Sequence, residues 1–207
     1  ISVPPIKIIK AGQMQDDILK VILHNCRLPT WNFSDFNAIA AALRTAAIRC
    51  VEISTRFGDD VFYSAMDAML ERNKRAMREL IRRTVPEARQ YFEDYICDDG
   101  LGMGPYKIAC SMWREGDKCI FDFTGTDEQR SGNMNAVEAV TLSAVSFALR
   151  SAIVPDLEGV GGSMRPVTVI APAGTLVAAQ APVAVGAGNV EVSQRIADVC
   201  LGALAHV

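Results

Sequence analysis

The chain has 207 residues, half of them hydrophobic and 22% charged, with a formal net charge of −3. That balance suits a folded globular protein and argues against a disordered one. The slight acidic excess leaves no electrostatic case for binding nucleic acid, and no apolar run approaches the ~20 residues of a membrane span.

The first half reads as helical. A short strand is expected at Val3–Ile9, with a turn at Gly12 and a helix from Gln13 to His24 carrying Met14, Ile18, Val21 and Ile22 at helical spacing. A proline-containing loop, 25–33, leads to Ser34 or Asp35 as a helix cap. From there Phe36, Ile39, Ala40, Leu43, Ala47, Cys50, Val51 and Phe57 form one apolar stripe. Alanines at 38, 40, 41, 42, 46 and 47 would let a neighbouring helix approach closely. Gly58 is a helix stop. Asp59 or Asp60 restarts a helix with Phe62, Met66, Met69, Leu70, Met77, Leu80 and Ile81, ended by Val85-Pro86. So short a connection predicts a long antiparallel αα-hairpin. The basic residues Arg72, Lys74, Arg75, Arg78, Arg82 and Arg83 of the second helix are read as a solvated or subunit-facing surface.

The second half changes period. Short aromatic and β-branched segments at 90–97, 106–113 and 118–123 predict strands, with a hairpin turn at Glu115-Gly116-Asp117. Residues 136–153 form a near-continuous apolar helix, with Val137, Val140, Val145 and Phe147 expected to lie buried across the sheet. Two further strands are expected at 166–170 and 175–177, and a last helix at about 190–204. The fold class is α+β: a long antiparallel helical hairpin packed with a mostly antiparallel sheet and two further helices. Residues 1–88 read as a mainly helical region and 89–207 as an α+β region.

Six cysteines, at 26, 50, 97, 110, 119 and 200, include no C-x-x-C pair, so zinc-knuckle and thioredoxin-like motifs are not supported. All six are read as reduced thiols in a cytoplasmic protein, with Cys50 and Cys200 on apolar helix sides. With only His24 and His206, no self-contained His-rich metal site is expected, and His24 is read as a partner of its helix C-terminus.

Three polar clusters interrupt this apolar frame. Asp98 and Asp99, beside Glu93 and Asp94, read either as a tight turn before a strand or as oxygen ligands for a hard cation. In 122–135, Asp122, Thr124, Thr126 and Asp127 alternate hydroxyls and carboxylates around Gly125, and Asn133 and Asn135 precede a helix. Carboxamides and hydroxyls orient an amide, imide or ketone, and a carboxylate can move a proton. The alternative is a hydrogen-bonded loop that caps the 136–153 helix. In 186–198, Gly186-Ala-Gly188-Asn189 opens a helix whose free N–H groups suit an anion, with Gln194 and Arg195 one turn on. The alternatives are plain strand-to-helix packing and capping by Glu191. No P-loop, nucleophile elbow or Ser-His-Asp set is present.

These motifs, in their order, resemble the hydantoinase B/oxoprolinase family. The resemblance runs from Pro4-Pro5 through Asn25-Cys-Arg-Leu-Pro29 and Asp35-Phe-Asn-Ala-Ile-Ala-Ala-Ala42. It continues through Arg56-Phe-Gly58, Glu93-Asp-Tyr95, Asp98-Asp-Gly100 and Asp122-Phe-Thr-Gly-Thr-Asp127. Each motif alone is weak; their order is specific. The resemblance implies the central part of a longer chain in an ATP-dependent complex that hydrolyses a cyclic amide or carboxylates a ketone. A hydantoinase A-type partner would bind ATP and phosphorylate the substrate's enol or imidate oxygen. ATP and Mg or Mn would be bound outside this segment, the metal ligands of the carboxylase members lying upstream of the Pro-Pro strand. On this reading Asp122 and Asp127 are candidate catalytic carboxylates. Thr124, Thr126, Asn133, Asn135, Asn189, Gln194 and Arg195 are candidate substrate contacts, and no residue is a metal ligand. The other readings are a structural and assembly region of such a complex, and a free-standing binding domain.

Overall fold

The computed structural model describes residues 3–153 and 161–205. Its contacts divide the chain into two compact units, one ending at Ser64 and the other starting at Ala65.

In the first unit, β1 (Ile9–Lys10) and β2 (Gln13–Met14) form a two-residue antiparallel hairpin. The turn places Ala11 at φ 49° and Gly12 at φ 80°, the conformation that closes tight hairpins. The strand expected over Val3–Ile9 is thus reduced to its last residue and Lys10, because Pro4 and Pro5 have no N–H to donate to a ladder. Helix α1 (Asp16–His24) carries Asp16 and Asp17 in its first turn and His24 in its last, as the helix dipole favours.

Helix α2 (Pro29–Phe57) starts five residues before the first expected cap. Pro29 sits in its opening turn, where a fixed φ and a missing N–H carry no penalty. Ser34 lies inside the helix and donates its hydroxyl to the Thr30 carbonyl, 3.2 Å away. Gly58, at φ 88°, ends α2, and α3 (Asp59–Thr84) begins at the next residue with Asp59 and Asp60 in its first turn. The α2 stripe stands open: Ile39 is 57% exposed, Leu43 64% and Val51 65%. Among the described residues of this unit, Leu19 and Ala40 are the buried apolar side chains. Cys50, expected to be covered on that stripe, is exposed as well.

The second unit holds the main core. From α3 it takes Met77 and Ile81, both fully buried. The sheet runs in the order β3 (Gln90–Ile96), β4 (Tyr106–Glu115), β5 (Lys118–Asp122) and β6 (Val167–Ile170). The β3–β4 and β4–β5 pairs are antiparallel, and β6 joins β5 in parallel with Asp122 opposite Ile170. Gly116 turns the β4–β5 hairpin at φ 62°. Asp117 in that turn takes Arg78 at 3.5 Å and Arg82 at 3.0 Å from α3.

Helix α5 (Ser193–Leu204) packs on β3 and β4, and α4 (Glu138–Ile153) packs on α5. This corrects the expectation that α4 would lie across the sheet with most of its apolar residues inside. Its inward face is Thr141, Ala144, Val145, Ala148 and Leu149, an i, i+3, i+4 set. Val137 and Phe147, on other faces, are 39% and 60% exposed. The strand expected at 175–177 is a single bridge from Thr175 to Glu128, with Leu176 and Val177 fully buried. Leu176 donates its N–H to Asp127 O and accepts from Ala136 N, so it pairs with a loop and not with the sheet.

Candidate functional site

The polar stretches 122–135 and 186–198 lie in the second unit, and the fold joins them. Residues 122–135 leave the end of β5. Asp122 Oδ1 accepts from the Thr124 N–H at 2.9 Å and its hydroxyl at 2.6 Å, a side-chain turn of the kind aspartate favours. Gly125 follows at φ 98°. Thr126 is buried; its Oγ1 accepts from Ala109 N at 3.1 Å and donates to Ala109 O at 3.2 Å. Asp127 Oδ2 accepts from Lys107 N at 3.0 Å and lies 3.6 Å from Arg130. Thr126 and Asp127 therefore continue the β4 ladder with side chains where β5 has ended. Asp122 and Asp127 each keep a second oxygen without a donor among the described contacts.

Asn135 is fully buried and its carboxamide is consumed by backbone. Oδ1 accepts from Arg130 N at 2.8 Å, and Nδ2 donates to Arg130 O, Gly132 O and Ala184 O at 2.8 to 2.9 Å. Asn133 Oδ1 accepts from Gly186 N at 2.6 Å, and its carbonyl accepts from Ala187 N. Gly188 closes the contact: a Cβ there would meet Asn135 O at 2.3 Å. These two asparagines hold the 184–188 segment in place, which fills the role the sequence left open between capping and ligand contact.

A π-helical turn, Gly188–Val192, then opens α5. It spreads the chain so that Asn189, Ser193 and Gln194 face α4 across a cleft of about 520 Å³. The opposite wall is Ala139, Val140, Ser143, Ala144 and Phe147, with Ala197 at the base of α5. Asn189 and Gln194 are exposed. Asp122, Thr124, Thr126, Asp127, Asn133 and Asn135 do not line the cleft. Arg195 turns away from it: the guanidinium contacts Asp94 on β3 and lies 3.4 Å from Asp198.

Two further polar groupings stand nearby. On β3, Glu93 accepts from the phenols of Tyr91 and Tyr95, a row that an i, i+2, i+4 spacing on a strand could have disclosed. The tyrosine hydrogen bonds hold the Glu93 carboxyl below the usual carboxylate range. The same bond pushes the Tyr91 phenol up to about 12. In the 97–105 loop, Asp99 accepts from Leu101 N at 2.8 Å, Met103 N at 3.1 Å and the Tyr106 phenol at 3.0 Å. The Leu101 bond is the largest cause of its lowered pKa. Of the two readings of Asp98-Asp99, the geometry is that of the turn. Among the described residues no three His, Cys, Asp or Glu side chains converge as a metal-ligand set. No described helix is long and apolar enough to cross a membrane.

The whole chain, residues 1–207, matches the hydantoinase B/oxoprolinase family profile. An uncharacterized protein of Methanocaldococcus jannaschii is 34% identical over 206 residues, covering 99% of this chain and 35% of that protein. The chain belongs to the hydantoinase B/oxoprolinase family. Among other family members, the 5-oxoprolinase of Saccharomyces cerevisiae is 32% identical over 177 residues, covering 82% of this chain and 13% of the enzyme. The fold is also that of the ATP-dependent caprolactamase from Pseudomonas jessenii, with a TM-score of 0.84 at 24% identity, covering 100% of this chain and 35% of that one. The chain thus spans about a third or less of these relatives' length.

Proposed function

We propose that this chain is part of a cytoplasmic ATP-dependent enzyme of the hydantoinase/oxoprolinase type, an amidohydrolase for a cyclic amide or a carboxylase for a ketone. It works with a hydantoinase A-type subunit that binds ATP. The family match over the whole chain carries this reading.

In the hydrolytic case the partner transfers the γ-phosphoryl group to the amide oxygen, which makes the carbonyl carbon a better electrophile. Water adds to that carbon as a carboxylate takes its proton. The C–N bond then breaks as the nitrogen receives a proton, which leaves an acyl phosphate, and a second water adds to that carbonyl and releases phosphate and the carboxylate. Asp122 and Asp127 are proposed for the proton transfers, since each has one oxygen fixed by the loop and one free. Asn189 and Gln194 are proposed for substrate contact; Thr124 fixes Asp122, and Asn133 and Asn135 hold the 184–188 segment that leads to Asn189. ATP and Mg or Mn are assigned to residues outside this segment.

The test is ATP turnover by the complex purified with its natural partner, against hydantoin, 5-oxoproline, acetone and acetophenone, each with and without bicarbonate. Turnover with a cyclic amide alone supports the amidohydrolase, and turnover that needs a ketone and bicarbonate supports the carboxylase. Absence of ATP consumption with every substrate overturns the enzyme reading.

A second reading, an assembly region with the chemistry elsewhere in the complex, is favoured by the open apolar stripe on α2. A helix that leaves Ile48, Val51 and Ile53 exposed is suited to burial against another protein surface. Val51→Glu should then abolish co-purification of the hydantoinase A-type subunit while the melting temperature holds. Retained co-purification argues against α2 as the interface.

A further inference from the structure

We infer that two copies of this chain pair through antiparallel α2 helices, with Phe57 of each copy seated in an apolar groove of the other. The pairing depends on neither reading of the activity given above.

Along α2, Phe36, Ala40, Leu43, Ala47, Cys50, Ser54 and Phe57 recur at alternating steps of four and three. That is the 3.5-residue repeat of helices that wind around one another. Thr45, Arg49, Glu52 and Arg56 occupy the opposite side, where Arg49 and Glu52 pair at 2.6 Å. Every residue from Ala41 to Ile53 is exposed. Large and small side chains alternate along the repeat, and the alternation decides the orientation. In a parallel pair like residues face each other, which crowds Leu43 on Leu43 and leaves a gap between Ala47 and Ala47. In an antiparallel pair Leu43 faces Ser54 and Ala47 faces Cys50, so each layer joins a larger side chain to a smaller one and fills the space between the helices. The Ser54 hydroxyl donates to Asp59, so it brings no unpaired donor into the contact. Beside these layers Arg44 lies next to Val51, and Ala46 next to Ile53. Sliding the pair by one heptad sets Arg44 against Arg44, which like charge disfavours.

A groove selects the same register independently. The layer after Leu43–Ser54 brings Phe57 of one copy to Ala40 of the other. Ala40 lies at the base of an apolar groove of about 280 Å³ between α2 and the β1–β2 hairpin, walled by Ile6, Ile8, Ile9, Met14 and Leu43. An apolar cavity of roughly 150 Å³ already takes a benzene ring, so a phenyl group fits. Phe57 is 53% exposed and is the last residue of α2, so the paired helix ends where the groove receives it. Groove and phenylalanine belong to one chain, and a two-fold axis makes both contacts at once.

Light scattering on the full chain should give twice the 22.4 kDa of a single copy. Phe57→Ser and Leu43→Glu should each weaken the dimer at least about tenfold, with circular dichroism reporting that each variant remains folded. Ser54→Lys alone should weaken it as well. Leu43→Glu combined with Ser54→Lys should restore it, because the two positions meet across the pair while lying about three turns apart in their own helix. Val51→Glu, which puts a carboxylate beside Arg44 of the second copy, should leave the dimer intact and so separates this pairing from contact with a hydantoinase A-type subunit. A chain that stays monomeric overturns the proposal, including one whose α2 binds only a hydantoinase A-type subunit. So does a dimer unchanged in folded Phe57→Ser and Leu43→Glu, or a double variant that stays dissociated.

Discussion

Asn135 shows how much of the polar content near the candidate site is spent on architecture. Its carboxamide meets a backbone N–H and three carbonyls, one of them 49 residues away in sequence. Asn135→Ala leaves several buried groups without partners, each costing on the order of 1–3 kcal/mol. The variant should therefore lose about 3 kcal/mol in urea unfolding. Gly188→Ala should cost at least about 2 kcal/mol, because the new methyl carbon would sit 2.3 Å from Asn135 O. The tyrosine pair on β3 gives a titration test. The Glu93 hydrogen bond favours the neutral Tyr91 phenol, whose folded pKa is pushed up to about 12. Its contribution to stability is then complete below the ordinary tyrosine value near 10 and disappears as pH rises through about 12. Ultraviolet titration should show a late-ionising tyrosine that Glu93→Gln returns to the usual range. On the acid side the sign reverses. The lowered Glu93 pKa gives stability that is present above the ordinary glutamate value and lost as pH falls through the folded one.

At the scale of elements, α2 and α4 illustrate what apolar periodicity conveys. A stripe along α2 was legible from Phe36 to Phe57, and the helix is there, but its stripe stands open. Periodicity records which side of a helix seeks cover, and not which chain supplies it. In α4 the difficulty was different. With apolar residues on nearly every position, the sequence left the phase of the helix undetermined, and contact with α5 chose the face of Ala144, Val145, Ala148 and Leu149. Leu149→Ala should therefore destabilise by about 3 kcal/mol. Phe147→Ala, three-fifths exposed by contrast, should stay within about 0.5 kcal/mol. Chemical denaturation measures both.

For the molecule as a whole, local chemistry was the readable part. Glycines at 12, 58 and 116 and the aspartates opening α3 act through their own backbone geometry and the helix dipole, so their consequences can be read from neighbours in sequence. The same holds for the aromatic and β-branched content of β3, β4 and β5 and for the α+β class. The order of short motifs was enough to show the family resemblance that the full-length match confirms. What the tertiary structure alone decided is how residues far apart in sequence share space. It joined 122–135 to 184–188 through Asn133 and Asn135, turned Arg195 toward Asp94, and opened the cleft between α4 and the π-helical turn. Burial and hydrogen-bond partners are properties of approach in three dimensions. A carboxamide in the sequence has the same composition whether it closes a loop, as Asn135 does, or faces a cleft, as Asn189 does; only the packing around it separates the two.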